Sequence, residues 1–283
     1  MKICRFDDFR LGLVEGDQVL DVTSILDLLP VYRYPLPQFD PFIANLDYLL
    51  PAIKTAALTA RRLPLADVVL LSPVANPGKL VAAPVNYTKH LEEVLANDQL
   101  HHQVVINDIY KAGLFLKATS SLVGVGAGVT LNHPERRNDH EIELAVVIGR
   151  TAKDVKRENA LSYVAGYAIG LDMTIRGPEE RSLRKSPDSY SVLGPWLVTA
   201  DEIPDPTGLE FVIKVNGEVR QHANTRDLIM GVEQLIEFAS SFYTLHPGDV
   251  IFTGTPEGVA PVLAGDVMDA QIQGIGQMRV SVL

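Results

Sequence analysis

The sequence predicts a β-rich α+β protein, with a sandwich or barrel-like core behind a small, separate N-terminal α+β unit. Three observations carry this reading. Short runs rich in β-branched and aromatic residues recur along most of the chain. Helical periodicity appears in few places, so the regular alternation of strand and helix that builds a doubly wound sheet is missing. Pro64, Pro73, Pro77 and Gly78 punctuate one passage and divide the chain into residues 1–75 and 76–283.

In the first unit, residues 10–14 and 18–22 read as strands joined by the turn Glu15-Gly16-Asp17. A helix is expected after Asp40, which can cap it, with Pro41 suited to the first turn. Phe42, Leu46, Leu49, Leu50 and Ile53 then make one apolar face. Pro51 falls inside that pattern and is the expected place for a kink or break. In the second unit, residues 142–148 form a strong strand. Residues 211–215 and 218–220 flank Asn216-Gly217, a pair that tolerates the positive φ of a tight hairpin. Val232, Leu235, Ile236, Ala239 and Phe242 mark an amphipathic helix. Pro247-Gly248-Asp249 turns into a strand at 250–252, and residues 268–283 read as further strand broken by glycines.

Composition excludes several classes. Among 283 residues the net charge is −10, which argues against a nucleic-acid partner, whose recognition needs a basic patch. With 47% hydrophobic and 21% charged residues, the chain has ample material for a core. The single cysteine, Cys4, rules out an internal disulfide and a multi-cysteine zinc site. It lies in a strand pattern and reads as buried rather than nucleophilic. No apolar run approaches the roughly 18 residues of a membrane span. The first residues carry acids where a signal peptide needs an apolar stretch. The expectation is a soluble protein of a reducing compartment, most simply the cytoplasm.

The sharpest chemical feature is Asp139-His140-Glu141-Ile142-Glu143-Leu144-Ala145-Val146-Val147-Ile148. On a strand, Ile142, Leu144, Val146 and Ile148 share one face, and Glu141 and Glu143 share the other with Ala145 and Val147. A solvated polar face would explain the glutamates alone, but Ala145 and Val147 make that face apolar too. Two carboxylates beside apolar surface repel each other and are costly to desolvate. A divalent cation would relieve both problems, and oxygen ligands select Mg²⁺, Mn²⁺ or Ca²⁺. Asp172 offers a third carboxylate, although alone it would read as a strand end. His90 and Glu93 are three apart in a helical pattern, where a carboxylate can orient an imidazole for proton transfer. On spacing alone an ordinary surface pair explains them equally well. Arg184-Lys185-Ser186-Pro187-Asp188 reads as a charged cluster before a turn. Thr253-Gly254-Thr255-Pro256 follows a strand and offers hydroxyls and N–H groups to an anion. Gly124-Val125-Gly126-Ala127-Gly128 lacks the spacing of a dinucleotide loop. His101-His102 has no partner at ligand spacing.

Taken in order, these segments resemble the fumarylacetoacetate hydrolase family from about Lys79 onward. The matching pieces are Asn86-Tyr87-x-x-His90-x-x-Glu93, Lys117, Asp139-x-Glu141-x-Glu143-Leu144, Gly166-Tyr167 through Asp172 and Arg176, Lys185-Ser186-x-Asp188, Gly194-Pro195, Asn216-Gly217, Gly248-Asp249-Val250-Ile251 and Thr253-Gly254-Thr255-Pro256. The N-terminal unit resembles the cap of shorter bacterial members. The resemblance implies a mixed β-sandwich roll, commonly a homodimer. It implies Mg²⁺ or Mn²⁺ on Glu141, Glu143 and Asp172, with His90 and Glu93 activating water from a mobile segment. Lys185 would assist at developing negative charge, and Lys117, Arg176, Gly254 and Thr255 would surround the substrate. The sequence departs from the family pattern at Ala118-Thr119, His140, Gly177-Pro178-Glu179 and Val192, which bears on substrate identity.

The implied activity is metal-dependent hydrolysis of a carbon–carbon bond in an acylpyruvate or another 2,4-dioxo acid. The alternative is decarboxylation or tautomerisation of an oxaloacetate-like or 2-hydroxy-dienoate substrate on the same platform, which needs no attack by water. A non-catalytic, metal-stabilised carboxylate binder is the third reading. Residues 86–108 are expected to order over substrate, because polar pairs interrupt their apolar periodicity.

Overall fold

The computed structural model describes residues 1–101 and 108–283. Its centre is a twelve-stranded mixed sheet, accompanied by a three-stranded and a four-stranded sheet. The structure is the β-rich α+β fold expected from the strand-dominated sequence.

The strand Ile142–Ile148 lies in the middle of the large sheet. It pairs antiparallel with Val164–Asp172 on one side and Val250–Phe252 on the other. All seven of its residues are buried. Alternate side chains of a strand point to opposite faces, so this burial requires two cores. Ile142, Leu144, Val146 and Ile148 join one apolar cluster with Phe211 and Ile213 of the four-stranded sheet and Leu235 and Ile236 of the helix Val232–Phe242. Ala145 and Val147 join the other cluster, with Phe42, Leu46, Leu49 and Ile53 of the N-terminal helices. The large sheet is therefore covered on both sides.

The N-terminal strands Lys2–Phe6, Arg10–Glu15 and Gln18–Asp21 form the expected antiparallel meander. The first also pairs with Ser191–Thr199, matching Lys2 to Val198 and Ile3 to Leu197. One hydrogen-bonded sheet thus runs across residue 75. Cys4 is fully buried, and that burial pushes its thiol up to about 12, as expected for an inert cysteine.

The helix after Asp40 breaks at Asn45, giving Pro41–Ala44 and Leu46–Ala57, rather than at Pro51. The Asn45 side-chain amide donates to the Pro41 carbonyl at 2.8 Å, offering the chain a local alternative to the helix. Pro51 and Asp47, whose carbonyl loses its bond to the proline, both lie exposed, so water can serve that carbonyl. At Asn216 and Gly217 the φ angles are 52° and 84°, and the hairpin forms where expected. The glycine-rich run at 124–128 makes only a short 3₁₀ turn. A Cβ at Gly124 would lie 2.2 Å from the backbone of Leu71 and Ser72, so close chain packing explains this glycine. Among the described residues, no helix is long and apolar enough to cross a membrane.

Asp40 joins the N-terminal helix to the start of the second unit. Its Oδ1 accepts from Phe42 N and Ile43 N at 2.9 and 3.1 Å, and its Oδ2 from Ala75 N and Asn76 N at 2.8 and 3.0 Å. A helix cap alone contributes about 1 kcal/mol. Because this buried carboxylate serves four donors, Asp40→Ala is expected to cost about 3 kcal/mol. Urea unfolding measures this, and a loss below about 1 kcal/mol would show that the Ala75 and Asn76 contacts contribute little.

Candidate active site

Three acids converge where two central strands lose their regular pairing. The short strand Asn138–His140 gives way to Ile142–Ile148 across Glu141, while Val164–Asp172 ends opposite. Ile142 pairs with Leu171, and Asp172 N donates to the Glu141 carbonyl at 2.9 Å. Glu141, Glu143 and Asp172 are all buried, and one carboxylate oxygen from each lies within 4.8 Å of the others.

Their surroundings differ. Glu141 Oε1 accepts from Arg176 Nη2 at 2.8 Å and Thr174 Oγ1 at 3.1 Å, and its Oε2 from Lys185 Nζ at 2.7 Å. Asp172 is held by Lys117 and, at 2.6 Å, by Lys185. Glu143 accepts the Gly254 N–H at 2.7 Å and has no basic ion-pair partner among the described residues. Burial would raise the Glu141 carboxyl, but Lys185 and Arg176 hold it down at about 2. Burial and the neighbouring Asp172 push Glu143 well above the usual carboxylate range. The pocket therefore contains three hard oxygen donors, one of them without a cation of its own. This donor set fits a divalent ion such as Mg²⁺ or Mn²⁺.

The His90–Glu93 pair comes from the helix Thr88–Ala96. His90 Nδ1 lies 2.8 Å from Glu93 Oε2, and Glu93 Oε1 accepts the Gly258 N–H at 2.9 Å. With Nδ1–H given to the carboxylate, Nε2 is left as the basic nitrogen. Gly258 has φ of +93°, and a Cβ there would sit 2.2 Å from the Arg220 carbonyl, so this contact requires glycine. Asn86 anchors the start of the helix. Its Nδ2 donates to the carbonyls of Met230 and Thr253 at 2.9 and 2.8 Å, and its Oδ1 accepts from Met230 N at 2.8 Å. Val94 of this helix and Leu100 just after it pack with Val259, in a cluster that among the described residues stands apart from the two main ones. The remainder of the expected closing segment, residues 102–107, lies outside the described residues, and so does His102.

A cavity of about 650 Å³ brings His90, the three acids, Arg176, Lys185 and Thr255 to one surface. Three other residues expected at the site stand behind that surface. Glu93 orients His90. The Lys117 ammonium is fully buried against Asp172 and the Tyr190 carbonyl. Gly254 gives its N–H to Glu143, so the anion held by its loop is that side chain. Thr255 Oγ1 likewise donates to the Ile142 carbonyl at 2.9 Å.

The structure also gives a supporting role to Asp139, which the motif contained without a role, and to Gln221, which the sequence did not single out. Asp139 is fully buried and holds Arg176 Nε and Arg137 Nε, each at 2.8 Å. Gln221 Oε1 accepts from Ile142 N at 3.1 Å, and its Nε2 donates to Thr255 Oγ1 and the Pro256 carbonyl at 2.8 and 2.9 Å. Gln221 is buried on an otherwise exposed part of its strand, and hydropathy gives no sign of that.

The raised Glu143 carboxyl sets a pH dependence. A carboxyl raised on folding contributes stability when protonated and loses it as pH rises through the folded value. The metal-free protein should therefore lose thermal stability with rising pH above the ordinary carboxylate range. Added Mn²⁺ should reverse the loss, and Glu143→Gln should flatten the pH slope. Melting curves across pH in chelator and in Mn²⁺ measure this. An unchanged slope in the variant would remove Glu143 as its cause.

Comparison with known proteins bears on the whole chain. Residues 79–283 match the family model described as fumarylacetoacetate (FAA) hydrolase C-terminal. A maleylpyruvate hydrolase from Aquipseudomonas alcaligenes is 64% identical over 284 residues, covering 100% of this chain and 99% of that protein. A mitochondrial oxaloacetate tautomerase from Rattus norvegicus is 35% identical over 262 residues, covering 85% and 80%. Among solved structures, maleylpyruvate hydrolase from Sphingobium sp. SYK-6, in complex with manganese(II) and pyruvate, superposes with a TM-score of 0.85 at 40% identity. That superposition covers 100% of this chain and 99% of the other. With a buried carboxylate triad on a covered central sheet and a family match over most of its length, the chain belongs to the fumarylacetoacetate hydrolase family.

Proposed function

We propose that this protein is a divalent-metal-dependent hydrolase that cleaves a carbon–carbon bond of an acylpyruvate, with maleylpyruvate as its leading substrate. The single observation that carries the hydrolytic reading is the His90 imidazole, oriented by Glu93, facing the cavity that the three acids line. The 64% identity to a maleylpyruvate hydrolase supports the substrate.

Glu141, Glu143 and Asp172 would hold Mg²⁺ or Mn²⁺, which supplies positive charge for the keto and carboxylate oxygens of a 2-oxo acid. His90 Nε2 takes a proton from water, and the resulting hydroxide adds to the acyl carbonyl carbon. The bond between that carbon and the adjacent methylene breaks, and its electron pair passes into the pyruvyl half. Return of that proton from His90 to the methylene carbon then yields pyruvate and the carboxylic acid of the acyl half. Lys185 lies between Glu141 and Asp172 and places a cation beside the developing charge. Arg176 is fixed through Nε and Nη2 by Asp139 and Glu141, and its Nη1 has no partner among the described residues. That nitrogen is available to a substrate carboxylate. In this reading the enzyme is cytoplasmic and homodimeric.

His90→Ala is expected to lower turnover by about 10²–10⁴-fold, the usual contribution of a general base. Its Mn²⁺ affinity, measured by calorimetry, should stay near that of the parent. Near-normal turnover would place the base elsewhere. Supplying maleylpyruvate, acetylpyruvate and oxaloacetate in turn to the Mn²⁺-loaded enzyme separates the reaction types. Pyruvate release from an acylpyruvate supports hydrolysis. Tautomerisation or decarboxylation of oxaloacetate with both acylpyruvates left intact would overturn it.

A further inference from the structure

The cavity wall around residues 176–185 carries four basic side chains, and three of them hold partners within the protein. Arg176 holds Asp139 and Glu141. Arg184 donates to the carbonyls of Glu179 and Ile175 at 2.8 and 3.1 Å. Lys185 holds Glu141, Asp172 and Thr174. Arg181 differs, because its guanidinium makes no hydrogen bond or ion pair with any described residue.

The acids nearest to it in sequence are occupied elsewhere. Glu179 is clamped by Arg136 through two bonds, at 3.0 and 2.7 Å. Gly177 makes room for that clamp, since a Cβ there would sit 1.8 Å from Arg136 Nη2. Glu180 accepts from Ser182 N at 2.6 Å, capping the helix Arg181–Arg184. The Arg181 guanidinium instead lies over the Phe115 ring, with Cζ 5.5 Å from the ring centroid. A guanidinium against an aromatic face keeps the donors in its own plane free for a carboxylate fork. Lys185 Nζ lies 5.8 Å from the same centroid while touching two of the triad acids. Both cations therefore lie within 6 Å of one ring centroid, so Arg181 Cζ is at most about 11 Å from Lys185 Nζ, and both line the cavity of the triad.

We infer that Arg181 is the specificity residue that binds the far carboxylate of a dicarboxylic acylpyruvate, while the triad engages the 2-oxo acid end. The inference rests on the hydrolase reading for its substrate and names a class: acylpyruvates whose acyl group ends in a second carboxylate. A neutral acyl tail would leave the guanidinium without a partner, so the enzyme discriminates by the charge of the tail. Glu179 and Glu180 are the cavity acids that would oppose such a tail, and their existing bonds to Arg136 and Ser182 N draw them away from it.

The test uses two unreactive probes of equal length, 2-oxoheptanedioate and 2-oxoheptanoate, titrated into the Mn²⁺-loaded protein. The wild type should bind the diacid about 10- to 100-fold more tightly, the range of a charge-assisted hydrogen bond. Arg181→Ala should abolish that preference, and Arg181→Lys should restore part of it, because a lysine keeps the charge but loses the fork. Melting curves and Mn²⁺ affinity confirm that each variant is folded with its triad intact. A wild type that does not distinguish the probes, or an Arg181→Ala protein that still prefers the diacid, would overturn the inference. Maleylpyruvate turnover, followed in parallel, tests the hydrolase reading separately. A diacid preference lost in Arg181→Ala, in a protein whose wild type cleaves no acylpyruvate, would support the arginine and overturn hydrolysis.

Discussion

Three carboxylates within 4.8 Å of one another, with almost no exposure to water, repel unless positive charge is supplied. Much of the surrounding structure answers that demand. Lys117 and Lys185 approach Asp172, and Lys185 and Arg176 approach Glu141. Arg176 is itself fixed by the buried Asp139. Glu143 alone lacks a basic ion-pair partner among the described residues, and its carboxyl is displaced upward. The protein neutralises two acids with its own side chains and leaves room for a third positive contribution. That is the electrostatic character of a site that fits a divalent ion.

The burial of these groups follows from the central strand. Because Ile142–Ile148 is covered on both faces, the acids at its start meet protein rather than solvent. One face is closed by the four-stranded sheet and the helix Val232–Phe242, the other by the N-terminal helices. The N-terminal segment therefore bears on the chemistry at a distance. It supplies the apolar layer behind Ala145 and Val147, two and four residues along from Glu143. The regular ladder stops at Glu141, which frees its side chain to meet Arg176, Thr174 and Lys185.

The proton-transfer pair is built separately. His90 and Glu93 share one helix, yet their orientation depends on Gly258, and the helix start depends on Asn86 holding Met230 and the Thr253 loop. The same loop supplies the Gly254 N–H to Glu143. A single loop thus links the base and the carboxylates, so displacement of either would be felt by the other.

The sequence by itself determined the strands at residues 10–14, 18–22, 142–148, 211–215 and 250–252, the hairpin at Asn216-Gly217, the helix Val232–Phe242, and the candidate acids and dyad. These are local: period-two or helical spacing places Glu141 with Glu143, and His90 with Glu93, whatever surrounds them. Tertiary structure decided which contacts mattered. Asn45 rather than Pro51 breaks the N-terminal helix, because the proline's lost bond falls on a carbonyl at the solvent side. Lys117 meets Asp172 and Gly254 meets Glu143, because ladder register and loop closure bring them together. The role of Gln221, the hold of Asp139 on Arg176, and the absence of a polar partner for Arg181 among the described residues carried no local signal. Each depends on partners tens of residues away, and chain spacing does not encode which buried charge will meet which donor once the two faces of the sheet have closed.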